Sequence, residues 1–421
     1  MSSPASAPAD LPPAPWLERA RRVFAAWMGF WFAPANLATL GLIRIAGGLT
    51  AFYVILCYTP DLDAMLGRDA WVDLQAADRW RKELPVAPVP SGWEPIPFKG
   101  PLLRQDYASD EEYQKAVKEW QEYYQEWEAD PRLAQTKGRP IWSIFYHVSD
   151  PVGVRVVHCL TLLCLLLLAA GLGTRLAAPL SWVLYVSYLQ RASTFLFGMD
   201  TMLNILLIYL MLGAVLGATG ARYSLDDLLA RWLVGRGKAA PLPPDVDQRR
   251  RRWGNFVLRL FQIHFCLIYI ASGLSKLQGG SWWNGTAQWG VLCTPEFNPM
   301  HVSLYFHLMT FLCQHRWLWE VTMHGIVLFT LGLEIGFPFL VWNRRTRWAM
   351  VVGATLLHTG IALFMGLVGF GLAMLSMLLA FIPGETSERF VNWLAEQVRP
   401  VLAMLSRPAP DKARELALGK R

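Results

Sequence analysis

Residues 270–286 read Ile-Ala-Ser-Gly-Leu-Ser-Lys-Leu-Gln-Gly-Gly-Ser-Trp-Trp-Asn-Gly-Thr. One amine, Lys276, stands at the end of an apolar stretch, followed by two glycines, two tryptophans and an amide. Gly273 permits close helix approach, and Gly279 and Gly280 permit a tight return of the chain. Trp282, Trp283 and Asn284 can then place ring faces and an amide beside the amine. Removing an ammonium from water disfavours its charge, so an amine in such a pocket can be neutral. A neutral amine is a base or a nucleophile. The same position also suits a lysine that only snorkels from a helix end to the interface. Asn284-Gly285-Thr286 matches a glycosylation sequon, read here as coincidence.

Other ionisable groups fall within or beside apolar stretches, where they are costly and need partners. Arg191 and Asp200 lie at the ends of two stretches and can share one depth with Lys276. Arg44 and Glu334 each sit about 11 Å from the same face at the helical rise per residue, which makes a structural ion pair between them plausible. Arg155 and Arg259, near stretch ends, fit snorkelling. His264, His324 and His358 lie inside stretches as packing or site residues and show no metal-ligand spacing, so no metal is expected. Six cysteines include no CxxC. Cys293 and Cys313 fall in one loop, where a disulfide and two separate thiols fit equally well.

The elements that must position these residues are apolar helices. The 421-residue chain is 54% hydrophobic and only 17% charged, against about 25% charged for soluble domains. Mean hydropathy is +0.27. Composition thus predicts an all-α, polytopic helical membrane protein. The net charge of +7 is no nucleic-acid signal, because the basic residues flank apolar stretches. About eight transmembrane helices are expected, at 37–59, 152–173, 176–190, 200–218, 255–275, 321–342, 347–366 and 368–383. The third and eighth are short for a span. Residues 1–14 form a Pro/Ala-rich tail expected to be disordered and lacking a cleavable signal, and 15–36 an interfacial helix. The transmembrane domain covers 37–383. Its loop 219–254 carries eight basic and four acidic residues, and the tail 384–421 seven and five. Both fall on one side when there are eight spans, so both termini are expected in the cytoplasm. The 60–151 insertion, with its polar helix-like stretch near 110–128, and the loop 276–320 are then extracytoplasmic.

At these residues the chain resembles the HTTM family, the membrane domain shared with vitamin K-dependent γ-carboxylases. The likeness covers roughly 37–383. It runs through Leu-Gly-Leu-Ile-Arg-Ile-Ala-Gly-Gly-Leu around Arg44, Pro60-Asp61-Leu62, Trp142-Ser143-Ile144-Phe145-Tyr146, Gly173-Thr174-Arg175, Arg191, Asp200, Arg222-Tyr223-Ser224-Leu225-Asp226 and His358. Gly273-Leu274-Ser275-Lys276-Leu277 with Trp283 is its most specific part. The resemblance implies a γ-carboxylase-like lyase or oxidase in the cell membrane with an extracytoplasmic active face. Lys276 would be the base toward a reduced quinone, menaquinol or vitamin K hydroquinone, with oxygen and carbon dioxide as co-substrates in a true carboxylase. The substrate would be a secreted peptide or a small molecule. Ser193-Thr194-Phe195-Leu196-Phe197 stands where the carboxylases carry an Asn-His pair, and 384–421 where they continue into an outer domain.

Two classes of function follow. One is an enzyme whose lysine accepts a proton. The other is a non-catalytic membrane factor whose pocket holds lipid or peptide while a secreted product matures. No internal repeat supports an inverted-repeat transporter.

Overall fold

The computed structural model describes residues 15–83, 104–129, 141–293 and 302–405, and among them the regular structure is helical throughout. The expected disordered tail 1–14 lies outside the described residues. The chain divides into two compact units, one formed by Met1–Cys57, Leu160–Val183 and Phe197–Arg421, the other by Tyr58–Cys159 and Leu184–Leu196.

The first long helices are α1 (Pro15–Phe32) and α2 (Ala38–Cys57). Short helices α3 (Leu62–Leu66) and α4 (Leu74–Glu83) and the polar α5 (Asp110–Ala129) follow. Next come α6 (Pro151–Ala170), α7 (Thr174–Arg191), α8 (Gly198–Val215) and α9 (Leu225–Gly235). The 33-residue α10 (Pro244–Lys276) leads into the short α11 (Gly280–Trp283) and α12 (Ala287–Leu292), then α13 (Ser303–Gln314). The chain closes with α14 (Arg316–Leu340), α15 (Arg347–Phe364), α16 (Val368–Leu378) and α17 (Gly384–Leu405).

Six segments are long and apolar enough to cross a membrane: Ala38–Leu66, α6, α8, α10, α14 and α15. Val368–Phe381 and Gly384–Arg399 meet at 115° and together pass as one broken span. The helix over the expected third span, α7, does not pass. It carries Pro179, and Ser181, Ser187, Gln190 and Arg191 dilute its apolar character. Leu328, Phe339, Leu356 and Leu363 stand exposed on α14 and α15, as lipid-facing residues do.

In the larger unit α10 packs along α14, α15 along α16, and α16 against both α2 and α8. Phe261, Phe265, Phe337 and Phe381 fill its centre, every one of them buried. In the smaller unit, Arg191 donates to the carbonyls of Gly67 and Val72, both at 2.9 Å. His158 bridges the hydroxyls of Thr59 and Tyr188. The helix over the acidic, aromatic stretch is α5, edged by the spaced pairs Lys115–Glu119 and Lys118–Glu122.

Candidate functional site

Tyr269, Ser272, Gly273 and Lys276 fall at helical spacing and form one stripe on the last two turns of α10. Gly273 lets α14 approach that stripe. A Cβ there would lie 2.8 Å from Ile335 Cγ1 and 3.2 Å from Glu334 Cβ. Side chains on a helix lean toward its N-terminus. The Lys276 side chain follows that rule, so its amine lies level with Ser272 one turn back.

There the Lys276 ammonium donates to Ser272 Oγ at 2.5 Å and to Glu334 Oε1 at 2.9 Å. Ser272 Oγ also donates to Glu334 Oε1 at 3.2 Å, closing a three-residue cluster. Glu334 Oε2 has the same ammonium at 2.9 Å but no aligned donor among the described residues. The side chains are 22% and 9% exposed, so the pair is largely out of water. The Trp282 ring centre lies 5.4 Å from the ammonium, within range of a cation–π contact.

One turn further back, the Tyr269 hydroxyl lies 2.7 Å from His358 Nε2, both residues buried. His358 Nδ1 is buried and without a partner among the described residues. Tyr269 packs on Phe265 and Phe337, their ring centres 4.5 and 4.7 Å away. The ionic cluster therefore stands on an aromatic floor. A lysine and a carboxylate in such a place can pass a proton between them without leaving net charge behind, since both the charged and the neutral pair sum to zero.

The expected pair of Arg44 and Glu334 is not formed. Glu334 is taken by Lys276, and Arg44 by backbone carbonyls. The depth count put Lys276 at one end of its stretch and Glu334 about 11 Å from the opposite face, so the contact between them shows that heights counted from assumed stretch ends were not reliable. Arg44, fully buried, donates Nη1 to Leu168 O at 2.7 Å and to Ala169 O, and Nη2 to Tyr223 O at 2.5 Å. Those first two carbonyls end α6, where a cation is favoured. Gly171 turns the chain there at φ +72°, and a Cβ on it would lie 2.7 Å from Arg44 Nη1. Asp226 accepts from Gly173 N, Thr174 N and Thr174 Oγ1, each at 2.9 Å, and its own N–H binds Gly171 O. Three motifs read separately in the sequence thus meet in one knot.

The remaining expected site residues have other partners. Trp283, well exposed, donates its indole N–H to Leu277 O at 2.7 Å and closes the end of α10. Asn284 Oδ1 accepts from Thr286 N and Oγ1, an Asx turn leading into α12. Asp200 accepts from Phe197 N at 2.9 Å and caps α8. Cys293 and Cys313 are both free thiols, and burial, reinforced by Cys313, pushes the Cys293 thiol up. His264 bonds Tyr209, and His324 donates to Glu320 O. Among the described residues no three His, Cys, Asp or Glu side chains are grouped as a metal would need.

Sequence reading missed Ser272 and Tyr269. Their signal was present as spacing, four and seven residues before Lys276, back along the helix rather than forward in the loop. Comparison with known proteins finds no family model, no characterised relative and no solved structure that matches this chain. The HTTM likeness therefore rests on the motif residues themselves.

Proposed function

We propose that this is an HTTM-like membrane enzyme in which Lys276 serves as a proton-accepting base toward a reduced quinone, in the course of modifying an extracytoplasmic peptide or small molecule. The observation that carries this reading is the inward turn of the Lys276 amine onto Glu334 and Ser272. A lysine at a helix end that served only solubility would reach outward to the interface.

The residues suit such a ligand. Trp282 offers a flat face, and Glu334 Oε2 is a buried acceptor with no aligned donor. When bound, a reduced quinone supplies a weakly acidic hydroxyl and, with oxygen and carbon dioxide, the chemistry of carboxylation. The chain's own part is proton handling. Glu334 takes the proton from the Lys276 ammonium and leaves a neutral amine, which can then accept a proton from outside the pair. Ser272 holds both groups in register. Tyr269 and His358 keep the floor of the site filled and dry.

The topology proposed with it has eight spans and both termini in the cytoplasm. It counts α7 and the bent pair together with the six apolar segments. Residues 60–151 and 276–320 then lie outside, and 219–254 and 384–421 inside.

A non-catalytic factor is the second reading. One observation favours it, since the Lys276–Glu334 pair also serves simply to tie α10 to α14. The two divide on Lys276→Arg, which keeps the ion pair but cannot yield a neutral amine. The test is quinone analysis by mass spectrometry of the purified protein, joined to complementation by Lys276→Arg. Co-purifying quinone with loss of complementation supports the enzyme. Full complementation by Lys276→Arg overturns it in favour of the factor.

A further inference from the structure

A cavity of about 230 Å³ lies where the α1–α2 link, α10, the α14–α15 turn and the start of α17 come together. Two arginines line it, Arg259 from within α10 and Arg347 from the first turn of α15. Both are half-buried, and Arg347 acts on Arg259 as a like charge. Arg259 sits fifteen residues into a 33-residue helix, and its guanidinium is fixed. Its Nε donates to Phe30 O at 3.1 Å and its Nη1 to Gln262 Oε1 at 2.8 Å. The guanidinium carbon lies 4.4 Å from the Phe30 ring centre and 5.8 Å from that of Trp342. Arg347 donates Nε to Val341 O at 3.2 Å.

Nη2 of Arg259 and both terminal nitrogens of Arg347 therefore carry no protein acceptor among the described residues. The neighbouring amides are already used. Asn255 donates to Phe30 O and Trp31 O, and Gln262 to Ala380 O. Glu385 is the one acidic residue lining the cavity, and among the described residues it forms no ion pair with either arginine. Two guanidiniums facing one partly dry space repel each other unless an anion lies between them. Paired planar forks match a tetrahedral oxyanion, phosphate above all. The aromatic surroundings, with Trp16, Phe24 and Trp27 exposed along α1, are those of a membrane interface.

We propose that the Arg259–Arg347 cavity binds a phosphate group, supplied by an anionic phospholipid headgroup or by free phosphate. This site stands apart from Lys276 and does not depend on the function proposed above.

The test uses the full-length protein, delipidated in detergent, with binding followed by native mass spectrometry and thermal shift. Three probes are added: dioleoylphosphatidylglycerol, dioleoylglycerol with the same tails and no phosphate, and inorganic phosphate. Retention of phosphatidylglycerol above dioleoylglycerol identifies a lipid source. Stabilisation by inorganic phosphate alone identifies a soluble one. In either case Arg347→Gln should weaken binding by about tenfold or more, the scale of a lost charge-assisted contact. Arg344→Gln, an exposed arginine of the same turn, should leave it unchanged. If Arg347→Gln fails to fold, Arg347→Lys keeps the charge without the fork and should still bind more weakly. The proposal is overturned if neither phosphate-bearing probe binds better than dioleoylglycerol. It is equally overturned if the Arg347 variants bind as wild type, or if Arg344→Gln weakens binding as much as they do.

Discussion

The ammonium of Lys276 sits 2.9 Å from the carboxylate of Glu334, and it reaches that partner by folding back along its own helix. The pair joins the last turn of α10 to the C-terminal half of α14, beside a glycine that admits the second helix. An ion pair this far from water gains little net stability, because desolvating both charges offsets most of their attraction. Breaking it is another matter. Lys276→Met leaves Glu334 buried and alone, and Glu334→Leu does the same to the amine. Each single change should cost about 3–5 kcal/mol, while the double change should be much milder. A double-mutant cycle on detergent-solubilised protein, read by denaturant or thermal unfolding, measures this directly. Additive losses would mean that the two residues do not act as a pair.

The knot around Arg44 makes a different prediction. Arg44→Gln would leave the carbonyls of Leu168, Ala169 and Tyr223 short of a donor in a fully buried place. At roughly 1–3 kcal/mol for each unsatisfied group, the loss should be at least about 3 kcal/mol. Arg44→Lys should recover only a small part, because one ammonium cannot fork between two chain segments. Unfolding curves of the two variants decide the point. A lysine variant as stable as wild type would show that charge alone, not the fork, holds the knot.

These two clusters show what was legible in the sequence and what was not. The all-helical class and the six strongly apolar segments follow from composition and run length, which need no knowledge of neighbours. Lys276 stood out because an amine at the end of an apolar run is chemically conspicuous. Its partner did not, because heights counted from assumed stretch ends set Lys276 and Glu334 well apart, and azimuth cannot be counted from sequence at all. Arg44 and Glu334 looked matched in height and turned out to serve different neighbours. Trp283 and Asn284 looked like pocket walls because they follow Lys276 closely, yet the Trp283 indole N–H and the Asn284 side-chain oxygen are spent on local turns. Ser272 and Tyr269, by contrast, were readable from spacing alone once the backward lean of helical side chains is applied.

Topology can be tested without reference to activity. In a background without native cysteines, Trp120→Cys on α5 should react with an impermeant maleimide added to intact cells. Asp245→Cys at the start of α10 should react only after permeabilisation. Labelling in the reverse order would invert the orientation and move Lys276 away from the outer half of the bilayer. Labelling of both from one side would mean an even number of crossings between residues 120 and 245, which the eight-span arrangement does not allow.

The pH response of the knot follows from Asp226 at the start of α9. Burial acts against its ionisation, but donation from Thr174 N, Gly173 N and Thr174 Oγ1, with Arg44 nearby, outweighs that and holds the carboxyl below the ordinary aspartate range. A carboxyl that is more acidic folded than unfolded stabilises the fold when ionised. Its contribution is fully present above the unfolded value of about 3.9 and is lost as pH falls through the lower folded value. Asp226→Asn keeps the shape but cannot carry the charge, so it should be less stable than wild type at neutral pH. The gap should stay constant down to about pH 5 and then narrow steadily as the solution is acidified further. Thermal unfolding of the two proteins across that range is the measurement. A gap that does not change with pH would show that the capping geometry stabilises α7 without help from the charge, and that Arg44 is balanced by its carbonyls alone.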